Sequence, residues 1–264
     1  MKVHAKRVVL GVVASLAYFI AATGSVDAAE IHVLATGALS AAMKTIIPAY
    51  EKQSGNHVDV VWGPSYGTSP DALPSRIQNG EPVDLVLMIG AALDRQIELG
   101  RFEGASKVDI AASAIGVAVR ADVPVPRITT VDDLRSTLLA ARSVAFSEGA
   151  SGTYIVNTLF SRLGIADRMR TKSVLIEGKE LVGTALERGD ADLGFQQISE
   201  LKAIAGIKYV GPLPAEVQQE NPISAAIAIS SKEKDAAETL IAFLQTRSSV
   251  VAFRHAGLVV NTEK

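Results

Sequence analysis

Four short segments of this chain are rich in hydroxyl or amide side chains, and the first three also hold glycine. They are residues 36–40 (TGALS), 63–69 (GPSYGTS), 147–154 (SEGASGTY) and 196–199 (QQIS). Glycine lets the backbone come close to a ligand, and a Ser, Thr or Gln side chain adds a hydrogen-bond donor. Groups of this kind hold an anion without needing a cation beside it. The candidate contacts are Thr36, Gly37, Ser65, Tyr66, Thr68, Ser151, Gly152, Thr153 and Gln197. Any one of these loops by itself could simply cap a helix. Two charged residues widen the chemistry. Arg76 could grip a carboxylate with two parallel hydrogen bonds. Glu148, inside the third loop, is either a solvated loop charge or, if desolvation raises its pKa, a general base. Asp71 is a second carboxylate. It falls at an expected helix start, where the helix dipole would hold its pKa down and make it a poor base.

Other chemistries find little support. The chain has no cysteine, so disulfides, thiolate metal sites and a cysteine nucleophile are excluded. Its histidines have no partner at metal-ligand spacing: His4 lies near the start, His32 and His57 fall in expected strands, and His255 in the last expected helix. The run Gly149-Ala150-Ser151-Gly152 misses the nucleophile-elbow pattern, because Thr153 stands where its last glycine belongs. There is no P-loop or dinucleotide fingerprint. Neither a cofactor nor a metal is expected. With 26 Lys+Arg against 28 Asp+Glu, the net charge of −2 offers no field to attract nucleic acid. An anion would have to be drawn in by local geometry.

The elements that must position these loops follow from the apolar periodicity. Strands are expected at 31–35, 57–62, 83–88, 143–146, 173–176, 192–195, 208–210 and 225–229. Helices are expected at 39–53, 71–79, 91–99, from 131, from 151, and at 180–188, 198–204, 232–245 and 248–255. Strand–loop–helix alternation implies parallel sheets with helices on both faces. Residues 108–120, rich in β-branched residues, read as an extended segment crossing between two halves, and a second crossing is expected near 223. The fold class is therefore α/β and two-lobed. Lobe 1 is expected to comprise 29–113 plus 224–264, and lobe 2 to comprise 114–223. In open parallel sheets, ligands bind beyond the carboxyl ends of the strands. The four loops sit at such ends, two from each half, and so face one another across a cleft.

The N-terminus reads as a secretory signal. Lys2, Lys6 and Arg7 precede an uncharged, mostly apolar run over 8–22, and Val26-Asp27-Ala28-Ala29 offers small residues for cleavage after Ala28 or Ala29. The apolar run is short for a membrane span of roughly 20 residues. The expectation is a periplasmic monomer, released from the membrane once residues 1–28 are removed.

At the loops described, the sequence resembles the molybdate-type periplasmic binding proteins. The resemblance runs from Ile31 to Leu258 through VLATGALSAAM, PVDLVLMIG, SGTY and ERGDADLGF. It implies a hinged type II solute-binding fold that captures a small anion, an oxyanion or a carboxylate, and an ABC permease as partner. The chain departs from the molybdate pattern at Ala38, where a serine is usual, and in a longer second loop carrying Tyr66 and Pro70. The wording of GPSYGTSPDALPSRIQNGEPVDLVLMIG, SEGASGTY and GFQQISELKAIAGIKYVGPLP is similar to a sub-branch that includes periplasmic aconitate isomerase. That likeness implies an alternative activity: cofactor-free movement of a double bond in a tricarboxylate by proton transfer in the same cleft, with Glu148 as base and Arg76 on a substrate carboxylate.

Overall fold

In the computed structural model, residues 28–260 are described; the expected signal segment lies outside them. The first strand, β1 (Glu30–Thr36), is almost wholly buried and leads through a 3₁₀ turn at Gly37–Leu39 into helix α1 (Ser40–Ser54). Ala42, Met43, Ile46 and Tyr50 recur at helical spacing on the buried side of α1. β2 (His57–Gly63), the short helix α2 (Leu73–Gln78), β3 (Leu85–Ile89) and α3 (Gly90–Glu98) follow. β1 lies between β2 and β3, parallel to both.

The 13-residue strand β4 (Val108–Arg120) then joins the two halves. Beyond it come α4 (Val131–Ala140) and β5 (Val144–Ser147), and α5 (Ala150–Tyr154) runs on through a π turn (Ile155–Leu159) into α6 (Phe160–Arg162). Next are α7 (Ala166–Met169), β6 (Ser173–Ile176), α8 (Val182–Arg188), β7 (Leu193–Gln197), α9 (Ile198–Lys202) and β8 (Ile207–Pro212). The chain closes with β9 (Glu220–Ile227), α10 (Lys234–Leu244) and α11 (Arg247–His255). Helix α4 starts on a capping box: the Thr130 hydroxyl accepts from Asp133 N–H, and the Asp133 carboxylate accepts from Thr130 N–H.

The strand order is β2-β1-β3-β9-β4-β7-β5-β6, with β8 also on β4. Three strands in each half are parallel, as the α/β rhythm requires: β2-β1-β3 in one, and β7-β5-β6 in the other. The crossing strands add antiparallel partners to both. β9 pairs antiparallel with β3, and β4 antiparallel with β9, β7 and β8. The first part of β4, Val108–Ala114, lies on β9, while Ile115–Val119 lies on β7. β4 therefore changes partners at Ala114/Ile115 and belongs to two sheets. The two-lobed α/β architecture follows from this strand.

Each half has its own core. Tyr50, Phe102, Phe253 and the apolar residues of β1, β3 and β9 fill the first; Ile115, Phe146, Phe160 and Phe195 belong to the second. A smaller cluster around Ala118, Ala145, Val182 and Leu186 packs the other face of the second sheet. At roughly 1.5–3 kcal/mol for each large apolar side chain fully buried, these cores outweigh any single polar contact across the cleft. Each half is therefore held chiefly by its own core.

Candidate functional site

A narrow cavity of about 50 Å³ lies between the halves. Its walls are the carboxyl ends of strands and the turns that follow them. From the first half come Thr36 and Gly37 after β1, Trp62 to Ser65 at the end of β2, and Ile89 at the end of β3. From the second half come Ser147 and Gly149 to Ser151 after β5, Gly178 to Leu181 after β6, and Gln196, Gln197 and Glu200 at the β7–α9 junction.

Of the residues proposed from the sequence, Thr36, Gly37, Ser65, Ser151 and Gln197 line this cavity together. Ser151 is only 1 % exposed, and its hydroxyl lies 3.4 Å from that of Ser147. Ser65 Oγ accepts from Ile89 N–H at 3.0 Å, which leaves its own proton to donate. Gln197 is buried, and its Oε1 has no hydrogen-bond partner.

The other proposed residues sit elsewhere. Tyr66 is half-buried against the first core, and burial raises its phenol pKa. Thr68 is exposed. Gly152 is inside α5, where a Cβ would stand 1.7 Å from the Ser147 carbonyl oxygen; its role is close packing of helix on strand. The Thr153 hydroxyl donates back to Gly149 O at 3.0 Å.

Arg76 is committed to an ion-pair cluster. It donates to Asp71 Oδ1 at 2.7 Å, to the Asp71 carbonyl, and to both oxygens of Glu81 at 3.0 and 2.8 Å. Burial works to lower its pKa, but the hydrogen bonds and charges of Glu81 and Asp71 prevail and raise it. Four of its five N–H donors are used inside this cluster, and Arg76 does not line the cavity. Asp71 lies in the turn before α2 and not at its start, and its partners are Arg76 and, at 3.9 Å, Lys179 from the opposite half.

Glu148 does not line the cavity either. It crosses the mouth of the cleft, where its carboxylate accepts from the Ser69 hydroxyl of the first half and from Gly178 N–H at 2.8 Å in its own half. Gly67, with φ 104°, makes room for it: a Cβ there would stand 2.4 Å from Glu148 Oε2. Glu148 thus bridges the two halves.

Two carboxylates line the cavity: Glu180, which is paired with Arg188, and Glu200, one turn after Gln196 and Gln197. A Cβ on Gly37 would come within 2.6 Å of Glu200 Oε1, so this oxygen spans the cleft floor from one half to the other. Glu200 keeps some solvent access through the cleft, but it lies deep between the halves. Burial pushes its carboxyl up to about 7, against hydrogen bonds from the Gln197 backbone and the Gln196 side chain that pull it down. A helical spacing of three to four residues from the fourth loop would have found it. The turn after β6, with Gly178 and Lys179, is a fifth strand-end loop of the same kind.

The cavity wall carries one lysine against two glutamates. Lys179 is the single cation lining the cavity, and its side chain is 69 % exposed. Glu180 on the same wall is paired with Arg188. Among the described residues, no group of three or more His, Cys, Asp or Glu could hold a metal ion. His32 on β1 lies by Asp59 of the edge strand β2, and His57 of β2 lies by Glu51.

Two α/β halves joined by crossing strands, with a donor-lined cavity between them, define a solute-binding fold. Residues 31–259 match the family described as bacterial extracellular solute-binding protein, and the chain belongs to that family. Over 228 residues it is 39 % identical to aconitate isomerase from Pseudomonas sp, covering 86 % of this chain and 87 % of the relative. It is 28 % identical over 232 residues to the molybdate-binding protein ModA of Azotobacter vinelandii, covering 83 % and 85 % respectively. Among solved structures, the Azotobacter vinelandii periplasmic molybdate-binding protein shares the fold with a TM-score of 0.70 at 20 % identity, over 88 % of this chain and 100 % of that one.

Proposed function

We propose that the chain captures a small anion, an oxyanion or a compact carboxylate, in the cavity between its halves. The observation that carries this reading is the make-up of the walls. Hydroxyls of Thr36, Ser65, Ser147 and Ser151 come from strand ends of both halves and outnumber the charged groups of the wall, which are Lys179, the Arg188-paired Glu180 and Glu200. Such donors hold an anion through hydrogen bonds worth about 1.5–3 kcal/mol each. The cavity of about 50 Å³ holds about four water-sized groups at ~10–15 Å³ each, which suits a tetrahedral oxyanion as it stands. A tricarboxylate requires the halves to open further. The same reading sets the lobe boundaries at the two crossings, near 113 and 223, with β4 and β9 as the hinge. It places the protein in the periplasm, released from the signal over residues 1–28, as a monomer that delivers its ligand to an ABC permease. Titration with molybdate, tungstate, sulfate, citrate and both aconitate isomers tests it directly. Trp62, the single tryptophan, lines the cavity and reports binding through its fluorescence. A flat signal and no heat with all of these anions would refute anion capture.

A second reading, aconitate isomerisation, is favoured by the 39 % identical relative and by a carboxylate on the cavity wall. Here Glu200, in place of Glu148, takes a proton from the methylene carbon. The C–H electrons move into a new C=C bond, the old double bond moves its electrons to the far carbon, and Glu200 returns the proton there. No atom is gained or lost. Incubation with trans-aconitate alone, followed by NMR for the cis isomer, decides between turnover and capture.

A further inference from the structure

We propose that Glu200 meets the captured anion in its protonated form, so that the cleft takes up one proton with each anion and reads one of its oxygens through a carboxylic O–H. The inference rests on the anion-capture reading and deepens it: the ligand is an anion with a hydrogen-bond-accepting oxygen placed between Gly37 and Glu200.

The geometry leads there in three steps. First, Glu200 Oε1 lies on the cavity wall against Gly37, so an anion seated among the hydroxyls of Thr36, Ser65 and Ser151 has this oxygen for a neighbour. Second, nothing positive compensates an ionised Glu200 there. Lys179 is the only cation of the wall, is largely exposed, and leans toward Asp71 on the opposite half. Two negative charges sharing a narrow cleft disfavour each other, and the group that can take a proton does so. Third, burial already holds the Glu200 carboxyl at about 7 before any anion arrives. A second negative charge beside it moves protonation further into the neutral range.

The charged groups on the elements packed against α9 are occupied elsewhere. On α1, Glu51 pairs with His57, while Lys44 and Lys52 are exposed. On α8, Arg188 pairs with Glu180 and Asp190, and the Glu187 side chain lies against Gly206. On β4, Arg120 pairs with Asp122, and Asp109 accepts from the Ser224 hydroxyl. On β8, Lys208 donates to Val123 O, and Tyr209 lies under Lys202 of α9 itself. The groups acting on the Glu200 carboxyl are the Gln197 backbone and the Gln196 side chain.

The test is calorimetry of the whole mature protein with molybdate, sulfate and trans-aconitate between about pH 7 and 9, where these probes are fully ionised. Each titration is run in two buffers of different ionisation enthalpy, so that proton uptake is read directly from the wild type. The expected result is uptake rising toward one proton per anion, with affinity falling about tenfold per pH unit above the Glu200 titration. Glu200→Gln, which carries a permanent N–H donor in the same place, should bind the same probe with little pH dependence. Tight wild-type binding with no proton uptake and a flat pH profile would overturn the inference; Glu200 would then be ionised beside the ligand, the state that a base requires. Binding of none of the probes to either protein at any pH would overturn anion capture itself, and this inference with it.

Discussion

Removing the Ser69 hydroxyl should loosen the closed cleft without touching the anion-binding walls. Glu148 makes two hydrogen bonds through its carboxylate, and only the one to Ser69 crosses between the halves; the one to Gly178 stays within the second half. Opening therefore breaks the Ser69 bond and no other bond of this carboxylate. A hydrogen bond to a charged group contributes about 1.5–3 kcal/mol net. Glu148 is partly exposed at the cleft mouth, so water recovers part of this on opening, and the lower figure applies. At about 1.4 kcal/mol per factor of ten, Ser69→Ala shifts the open–closed balance roughly tenfold toward open. An anion that binds the closed form loses apparent affinity in proportion to the closed fraction, up to the same tenfold. Small-angle scattering of the ligand-free protein should show a larger radius of gyration, and Trp62 fluorescence a weaker Kd for molybdate. Lys179→Ala serves as the comparison. Its contact with Asp71 across the cleft is long and exposed, worth about 0–1 kcal/mol, and its loss should leave the ligand-free radius of gyration nearly unchanged. Ser69→Ala with unchanged scattering and unchanged Kd would show that this bridge plays no part in closure.

Three further outcomes follow from the same geometry. Because the Glu200 carboxyl is raised from 4.5 to about 7, the folded state is penalised as pH rises through that interval and stays penalised above it; at 1.36 kcal/mol per unit the cost is on the order of 3 kcal/mol. Glu200→Gln should therefore melt higher than wild type at pH 8 and nearly level with it at pH 4.5, and equal melting at both would refute the burial argument. Arg76→Ala should cost about 1–3 kcal/mol of stability, because it leaves Glu81 without its ion pair and Asp71 with only the long contact to Lys179, lowering Tm by roughly 3–10 °C while the Kd for molybdate stays within about twofold. Gly152→Ala forces a Cβ to within 1.7 Å of the Ser147 carbonyl and should cost about 3 kcal/mol, seen as a large drop in the circular-dichroism melting point.

The alternation of apolar runs made the α/β class, the strand-end loops and the long crossing segment at 108–120 legible, because these depend on local periodicity. What escaped depended on which way side chains turn after folding. Glu148 is inside the third loop, yet its side chain turns away from the cavity to Ser69. Glu200 is outside the glycine-rich stretch, yet a single helical turn carries it onto the cavity wall. Arg76 looked free because its partners, Asp71 and Glu81, are each five residues away across a turn and a helix end. The ninth strand begins at Glu220, earlier than the Asn221-Pro222 pair suggests. Pro222 is tolerated because β3 ends opposite Ile223, so the proline needs no hydrogen bond on that side.

The position of β9 has a consequence for the order in which the molecule can assemble. It is the last strand to be synthesised, yet it slots between β3 and β4, and the α10 and α11 helices that follow pack against α1. Until residues 220–255 have emerged, β3 has only β1 beside it and the first part of β4 has no neighbour. The second half, by contrast, draws its strands from one continuous stretch after Ala114. That half can therefore complete while the first is still an open three-stranded sheet with a bare apolar edge, waiting on contacts more than a hundred residues distant. Closing such long loops is slow. The half that begins the chain is thus the last to finish, and a nascent chain stalled before β9 exposes a strand edge open to pairing with another molecule.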